Sequence, residues 1–322
     1  MIRNVQPTNL AKRRSSSRAT AFFLGRLRFL VLSVIGLGIF SPVHAHEYWL
    51  SPVNYQVEAG KIALIDIRNG EDFVGSALAF DPAQFESIEL AGNLSGNLVR
   101  QTISNSRLGD YPAIHKVIRE SGLYTVSLSS TRRVLEYASK EKFEGFLDYH
   151  GFDGYAAKHK QLGFPDNKIT EHYYRYAKTL VTVVDLKGDT DAIPSQNDVS
   201  KATADATGKN KSAEDKRDID MALDAQGLKF EIVMLDNPYL SDGLLRVQLL
   251  LEGEPLSERQ IEVFHKAESV TRDIYQSDAD GIASLTVSKS GEYLVNAVQL
   301  LQSTEENVHW ETLWASYTFF RP

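Results

Sequence analysis

The sequence predicts a mainly β protein made of two β-sandwich domains, immunoglobulin-like or prealbumin-like, the first carrying a helical insertion. Three observations lead there. Short alternating apolar runs recur between turn signals, as in sandwich folds. One polar stretch divides the chain into two blocks of different regularity. The 322 residues include no cysteine, so neither disulfides nor thiolate metal ligation can support the fold, and hydrophobic cores must do so.

Residues 1–45 read as a secretory signal peptide. They carry seven basic residues (Arg3, Lys12, Arg13, Arg14, Arg18, Arg26, Arg28) and no acid. An apolar run over residues 29–40 follows, then Ser41-Pro42 and Val43-His44-Ala45, a small-residue cleavage site. The run is too short for a spanning helix, which needs roughly 20 residues. Cleavage after Ala45 leaves 28 of the 35 Lys and Arg against all 42 Asp and Glu, a formal charge of −14. So acidic a surface disfavours nucleic acid as a partner and is compatible with attracting cations. This reading predicts a mature protein in the periplasm or otherwise exported.

The first block, residues 46–186, is expected to be β-rich. Lys61 to Ile67 and Leu180 to Val184 have strand composition, and Tyr124, Val126 and Leu128 alternate on one side of a strand opened by Ser121-Gly122. Residues 135–149 are expected to be helical, with Phe143, Phe146 and Leu147 on one face and Gly151 as the terminator. Residues 187–220 are almost free of large apolar side chains and contain no aromatic, which predicts a polar linker or disordered loop. In the second block, residues 221–322, strands are expected at Phe230 to Val233, Leu244 to Leu251, Gln260 to His265, Ile282 to Val287, Tyr293 to Val298 and Trp314 to Phe320. Asn237-Pro238, Gly253-Glu254-Pro255, Asp278-Ala279-Asp280-Gly281 and Ser290-Gly291-Glu292 supply turns. Glu120-Ser121-Gly122-Leu123-Tyr124 echoes Lys289-Ser290-Gly291-Glu292-Tyr293. In each, Gly permits a bend and Tyr opens a strand with a hydroxyl free to hydrogen-bond back, as at a sandwich corner.

The mature N-terminus, His46-Glu47-Tyr48-Trp49-Leu50, carries the most specific chemistry. A terminal histidine offers its α-amine and its imidazole Nδ1 to one metal, and both deprotonate at modest cost. Nitrogen ligands suit Ni, Co, Cu and Zn. Further ligand candidates are His115, after Tyr111-Pro112, and His309, before the last strand, while His150, His159, His172 and His265 read as structural or surface residues. No HExxH, EF-hand loop, nucleophile elbow, P-loop or Rossmann fingerprint occurs, so no catalytic residue is assigned and the protein is read as non-enzymatic. The run Glu171-His172-Tyr173-Tyr174-Arg175-Tyr176-Ala177-Lys178 admits two readings. Its cationic stems can cover aromatic rings at a domain seam, the favoured reading, or its charges can bind an anion.

The opening His46-Glu47-Tyr48-Trp49-Leu50, the segment 143–148, the run Arg175-Tyr176-Ala177-Lys178-Thr179-Leu180-Val181 and Gly253-Glu254-Pro255-Leu256 resemble the DUF4198 family across nearly the whole mature chain. These are exported proteins related to periplasmic components of nickel and cobalt uptake systems. The linker is longer and more polar than the family pattern. The resemblance implies a sandwich protein that holds a divalent transition metal through His46, with Ni or Co favoured and Cu possible. On this reading the protein captures the ion and delivers it to a membrane permease. Two other readings are a structural or carbohydrate-binding adhesion module, and a copper enzyme with an N-terminal histidine brace.

Overall fold

The computed structural model describes residues 47–94, 97–185 and 222–322, so His46 and the stretch 187–220 lie outside the described residues. In chain order the first block contributes β1 (Glu47–Pro52), β2 (Gln56–Glu58), β3 (Ile62–Glu71), β4 (Val74–Leu78), β5 (Phe85–Leu94), β6 (Asn97–Thr102), β7 (Ile114–Val117), β8 (Gly122–Ser130) and β9 (Arg133–Tyr137). Helices α1 (Lys140–Tyr149) and α2 (Tyr155–Gln161) follow, then β10 (Ile169–Val184). The second block contributes β11 (Phe230–Met234), β12 (Leu244–Leu251), β13 (Glu254–Pro255), β14 (Gln260–Lys266), β15 (Val270–Gln276), β16 (Ile282–Thr286), β17 (Gly291–Gln302) and β18 (Trp310–Arg321). The protein is mainly β, as the alternating runs require.

The helical expectation for residues 135–149 holds only from Lys140. Residues 133–137 form β9 instead, paired antiparallel with β10 so that Leu135 lies opposite Glu171. Val134, Leu135 and Tyr137 suit an extended, half-exposed edge. The helix starts where Ser139 accepts the Lys142 N–H. Gly151, at φ 64°, takes the left-handed position beyond its end.

Both echoed corners form as expected. The Tyr124 hydroxyl donates to the Glu120 carbonyl at 2.9 Å, and the Tyr293 hydroxyl donates to the Lys289 carbonyl at 3.0 Å. Each tyrosine thus ties its strand to the turn four residues upstream.

The two blocks share one long sheet, ordered β15-β14-β17-β18-β10-β8-β5-β6, with β2 and β9 also paired to β10. The junction is the parallel pairing of β10 with β18, from Glu171 opposite Trp310 to Thr179 opposite Thr318. Because side chains alternate across a strand, β10 serves two cores. Ala177, Val181 and Val183 face a core closed by the sheet of β1, β3, β4 and β7. Tyr176 and Leu180 face the opposite core, closed by β11, β12 and β16. The architecture is therefore two β-sandwiches covering opposite faces of a common sheet. A third cluster packs Phe143, Phe146 and Phe152 of the helical excursion on Trp310 and Trp314 of β18.

At this junction Lys178 is buried, with its Nζ 2.8 Å from Glu231 Oε1 and 4.6 Å from the Tyr317 ring centroid. Burial pulls the Lys178 pKa down, opposed by Glu231. Glu231 also accepts the backbone N–H groups of Gln226, Gly227 and Leu228, which fixes the chain where the second block begins. Removing one partner of a buried pair leaves a charge uncompensated. Lys178→Met is therefore expected to lower stability to urea unfolding by about 3–5 kcal/mol. Lys178→Met with Glu231→Gln should recover part of that loss.

Candidate functional site

Three elements meet on the face of the long sheet that carries α1: the start of β1, the β3–β4 turn, and the C-terminal end of α1. Glu262, Asn296 and Ser316 lie in register across β14, β17 and β18 beneath them, and all three are buried. Glu262 alternates with Ile261 and Val263, which enter the core on the other face, so its carboxylate is carried into this contact.

Four side chains converge on that carboxylate. His150 Nδ1 lies 2.9 Å from Oε1, Arg272 donates to Oε1 at 2.9 Å, Gln260 donates to Oε1 at 3.0 Å and Asn296 donates to Oε2 at 2.8 Å. Burial alone would raise the Glu262 pKa, but His150, Arg272 and Asn296 outweigh it and hold the group down at about 2. A carboxylate can only accept, so the Nδ1 of His150 is the donor. The other ring nitrogen, Nε2, is buried without a hydrogen-bond partner, and the ring stands edge-on to Trp314 at 5.0 Å.

The same groups dock the helix end. Tyr149 presents its carbonyl to Gln260 and Arg272, and Arg259 donates to the carbonyls of His150 and Gly151. The Arg272 guanidinium stacks 4.0 Å from the Tyr149 ring centroid, and the Tyr149 hydroxyl donates to Asp72 at 3.1 Å. Asp72 and Phe73 form the two-residue turn between β3 and β4, both with positive φ. That conformation is costly for a phenylalanine. It is offset by burial of Phe73 against Trp49, with ring centroids 5.3 Å apart.

Glu47 completes the site. It is 1% exposed, and its Oε2 has no hydrogen-bond partner. Burial, then the nearby Glu262 and Asp72 charges, push its pKa up to about 8, against the backbone N–H groups of Glu47 and Phe73. Two carboxyl groups within one contact are thus driven apart, Glu262 ionised and Glu47 protonated at neutral pH. Orphaned polar atoms of Glu47, His150, Asn296, Ser316 and Arg272 gather here. Such a gathering marks a place where a further polar group belongs.

Of the histidines singled out in the sequence, His46 lies outside the described residues. His115 sits on β7 opposite Leu64, its Nδ1 3.9 Å from Asp110 and its Nε2 buried without a partner. Glu47 pairs with Gly70, six residues further along β3, which separates the two by roughly 20 Å. His309 accepts the Thr170 N–H on Nδ1 at 2.9 Å and packs on Phe164 in the helical corner. Burial and the neighbouring His159 lower its pKa. The structure does not bring His115 and His309 together, and among the described residues no three His, Asp or Glu side chains form a metal-holding group. Sequence reasoning missed His150, Glu47 and Glu262. The available signal was a histidine directly before the glycine that ends an aromatic helix.

A cleft of about 510 Å³ opens on the opposite face, lined in part by Glu86, Glu89, Tyr174 and Tyr176. Its cations are engaged elsewhere, Arg100 on the carbonyls of Ala225 and Gln226 and Lys229 on Glu311.

A family model described as a domain of unknown function, DUF4198, matches residues 43–197 and 210–300. The chain belongs to the DUF4198 family. No curated protein matches it. Among solved structures, this DUF4198 chain is similar to a tetra-tandem repeat in the extending region of a large adhesion protein, at 13% identity and a TM-score of 0.19. That match covers 86% of this chain and 50% of the other, so the chain spans about half the length of that neighbour. It is also similar to the D0-D1 domain of intimin, at 13% identity and a TM-score of 0.18, covering 84% of this chain and 97% of the other.

The raised pKa of Glu47 sets a pH dependence for the DUF4198 chain. The folded state keeps this proton up to about 8, whereas the unfolded chain releases it near the ordinary value of 4.5. Between those values the folded state binds more protons, so stability falls as pH rises. Thermal unfolding in the presence of a chelator should show a melting temperature that declines across this window. Glu47→Gln should flatten the decline.

Proposed function

We propose that the protein binds a divalent transition metal, Ni or Co before Cu, at its mature N-terminus, and delivers it to a membrane permease after export. The observation that carries this reading is the His150 ring. Its Nδ1 is held by the buried Glu262 carboxylate, and its Nε2 is buried and unpartnered. A carboxylate behind one ring nitrogen is the arrangement that orients a metal-ligating histidine and raises its basicity. Glu47, which borders the same carboxylate, directly follows His46 in the chain. The α-amine and imidazole of a terminal His46 would supply two nitrogens, His150 Nε2 a third, and Glu47 a carboxyl oxygen. Nitrogen-rich sets of this kind suit Ni, Co and Cu. The ion is cargo here, and the reading assigns no catalytic residue.

Calorimetric titration of the chain beginning at His46 with Ni(II), Co(II), Cu(II) and Zn(II) tests this. Tight one-to-one binding is expected, lost when residues are added before His46 and weakened about 10–100-fold by Glu262→Gln through His150. Binding indifferent to both changes would move the site elsewhere. Absence of binding would remove the proposal and favour an adhesion role.

A further inference from the structure

Two sequence motifs, the opening of β1 and the basic-aromatic run of β10, meet at a second place. Tyr173 and Arg175 are two residues apart on β10 and therefore share a face. Arg133, on β9, lies directly opposite Tyr173 in the antiparallel ladder, so its side chain rises on that face too. Tyr48 comes down on them from β1. The Arg175 guanidinium carbon sits 4.7 Å from the Tyr48 ring centroid and 4.9 Å from that of Tyr173. Two aromatic faces thus hold one planar cation in a fixed orientation.

What this cation lacks, among the described residues, is an acid in hydrogen-bond contact with it. Half-buried arginines are ordinarily paired. Among the described residues Arg175 has no ion pair and no side-chain hydrogen bond, and its Nε is buried without a partner. The acid nearest in sequence, Glu171, reaches Arg175 only through its charge, since its Oε2 accepts from the hydroxyls of Tyr137 and Thr312. Arg133 is exposed and, among the described residues, also makes no ion pair, the Asp81 charge reaching it without contact. Two guanidinium groups on neighbouring strands repel one another unless an anion lies between them. In a chain with so large an excess of acids, such an unmatched pair is not explained by composition.

We propose that Arg175 and Arg133, with the hydroxyls of Tyr48 and Tyr173, form a binding site for the oxyanion group of a small molecule, a carboxylate or a phosphate. Arg175 is presented as a rigid fork by the two rings, which matches the two oxygens of such a group. Arg133 adds a second, mobile cation at the mouth. Glu47 and Tyr48 are successive residues of β1 and point to opposite faces, so this site is separate from the contact around Glu262.

The test is a titration of the mature chain with inorganic phosphate and with acetate at constant ionic strength, following the arginine Nε–Hε resonances by NMR, with chloride as control. A saturable shift of the Arg175 resonance is expected with phosphate or acetate and not with chloride. Arg133→Ala should weaken binding severalfold at an unchanged melting temperature. Arg175→Lys, which keeps the charge but loses the fork, should weaken it by about 10-fold or more, read from the perturbed tyrosine ring resonances. An Arg175 resonance that does not move, or that responds equally to chloride, would overturn the proposal. So would an affinity that Arg133→Ala leaves unchanged.

Discussion

A carboxylate taken out of water costs several kcal/mol unless its surroundings replace the lost solvation. Glu262 meets that demand with donors from its own strand, from β15, from β17 and from the end of α1. The consequences spread outward. Arg272 and Gln260, already held by Glu262, also take the carbonyl of Tyr149. Arg259 takes the next two carbonyls. The C-terminus of α1, where carbonyls are left without partners inside the helix, is thereby finished by side chains of the second block. A helix encoded in one block thus docks on the sheet of the other. Glu47, fixed beside that anion, has its pKa pushed up to about 8.

The shared sheet gives this contact its rigidity. β10 and β18 pair in parallel over nine residues, and each face of β10 belongs to a different core. The cation stems of the basic-aromatic run then have two fates. Lys178 turns into one core and finds Glu231, while Arg175 turns to the opposite face and is held between aromatic rings. Lys178 covers Tyr317 across the seam between the blocks, as the run itself suggested, whereas the rings that hold Arg175 both belong to the first block. Their difference in pairing separates a structural role from a binding role.

The strands of the second block were legible because each alternates between turns that name themselves, as Asp278 to Gly281 does before β16. The two tyrosine corners were legible because glycine and tyrosine stand at fixed offsets in both copies. The start of α1 was not, because Leu135 and Tyr137 fit the helical period as well as the strand they form. The joining of the blocks in one sheet left no local trace. A parallel pair between residues 139 positions apart, such as Glu171 and Trp310, depends on contacts far separated in the chain. Glu262 was hidden for a related reason. In an alternating strand a charge reads as the solvent face, and only the helix packed above turns that face inward.

The most direct measurement is a double-mutant cycle between His150 and Glu262, using His150→Gln and Glu262→Gln in urea unfolding of the protein. If the carboxylate anchors the helix end through the imidazole, the two substitutions should couple by about 1–3 kcal/mol. Effects that simply add, within about 0.5 kcal/mol, would contradict the account. The helix would then be held by its aromatic packing alone.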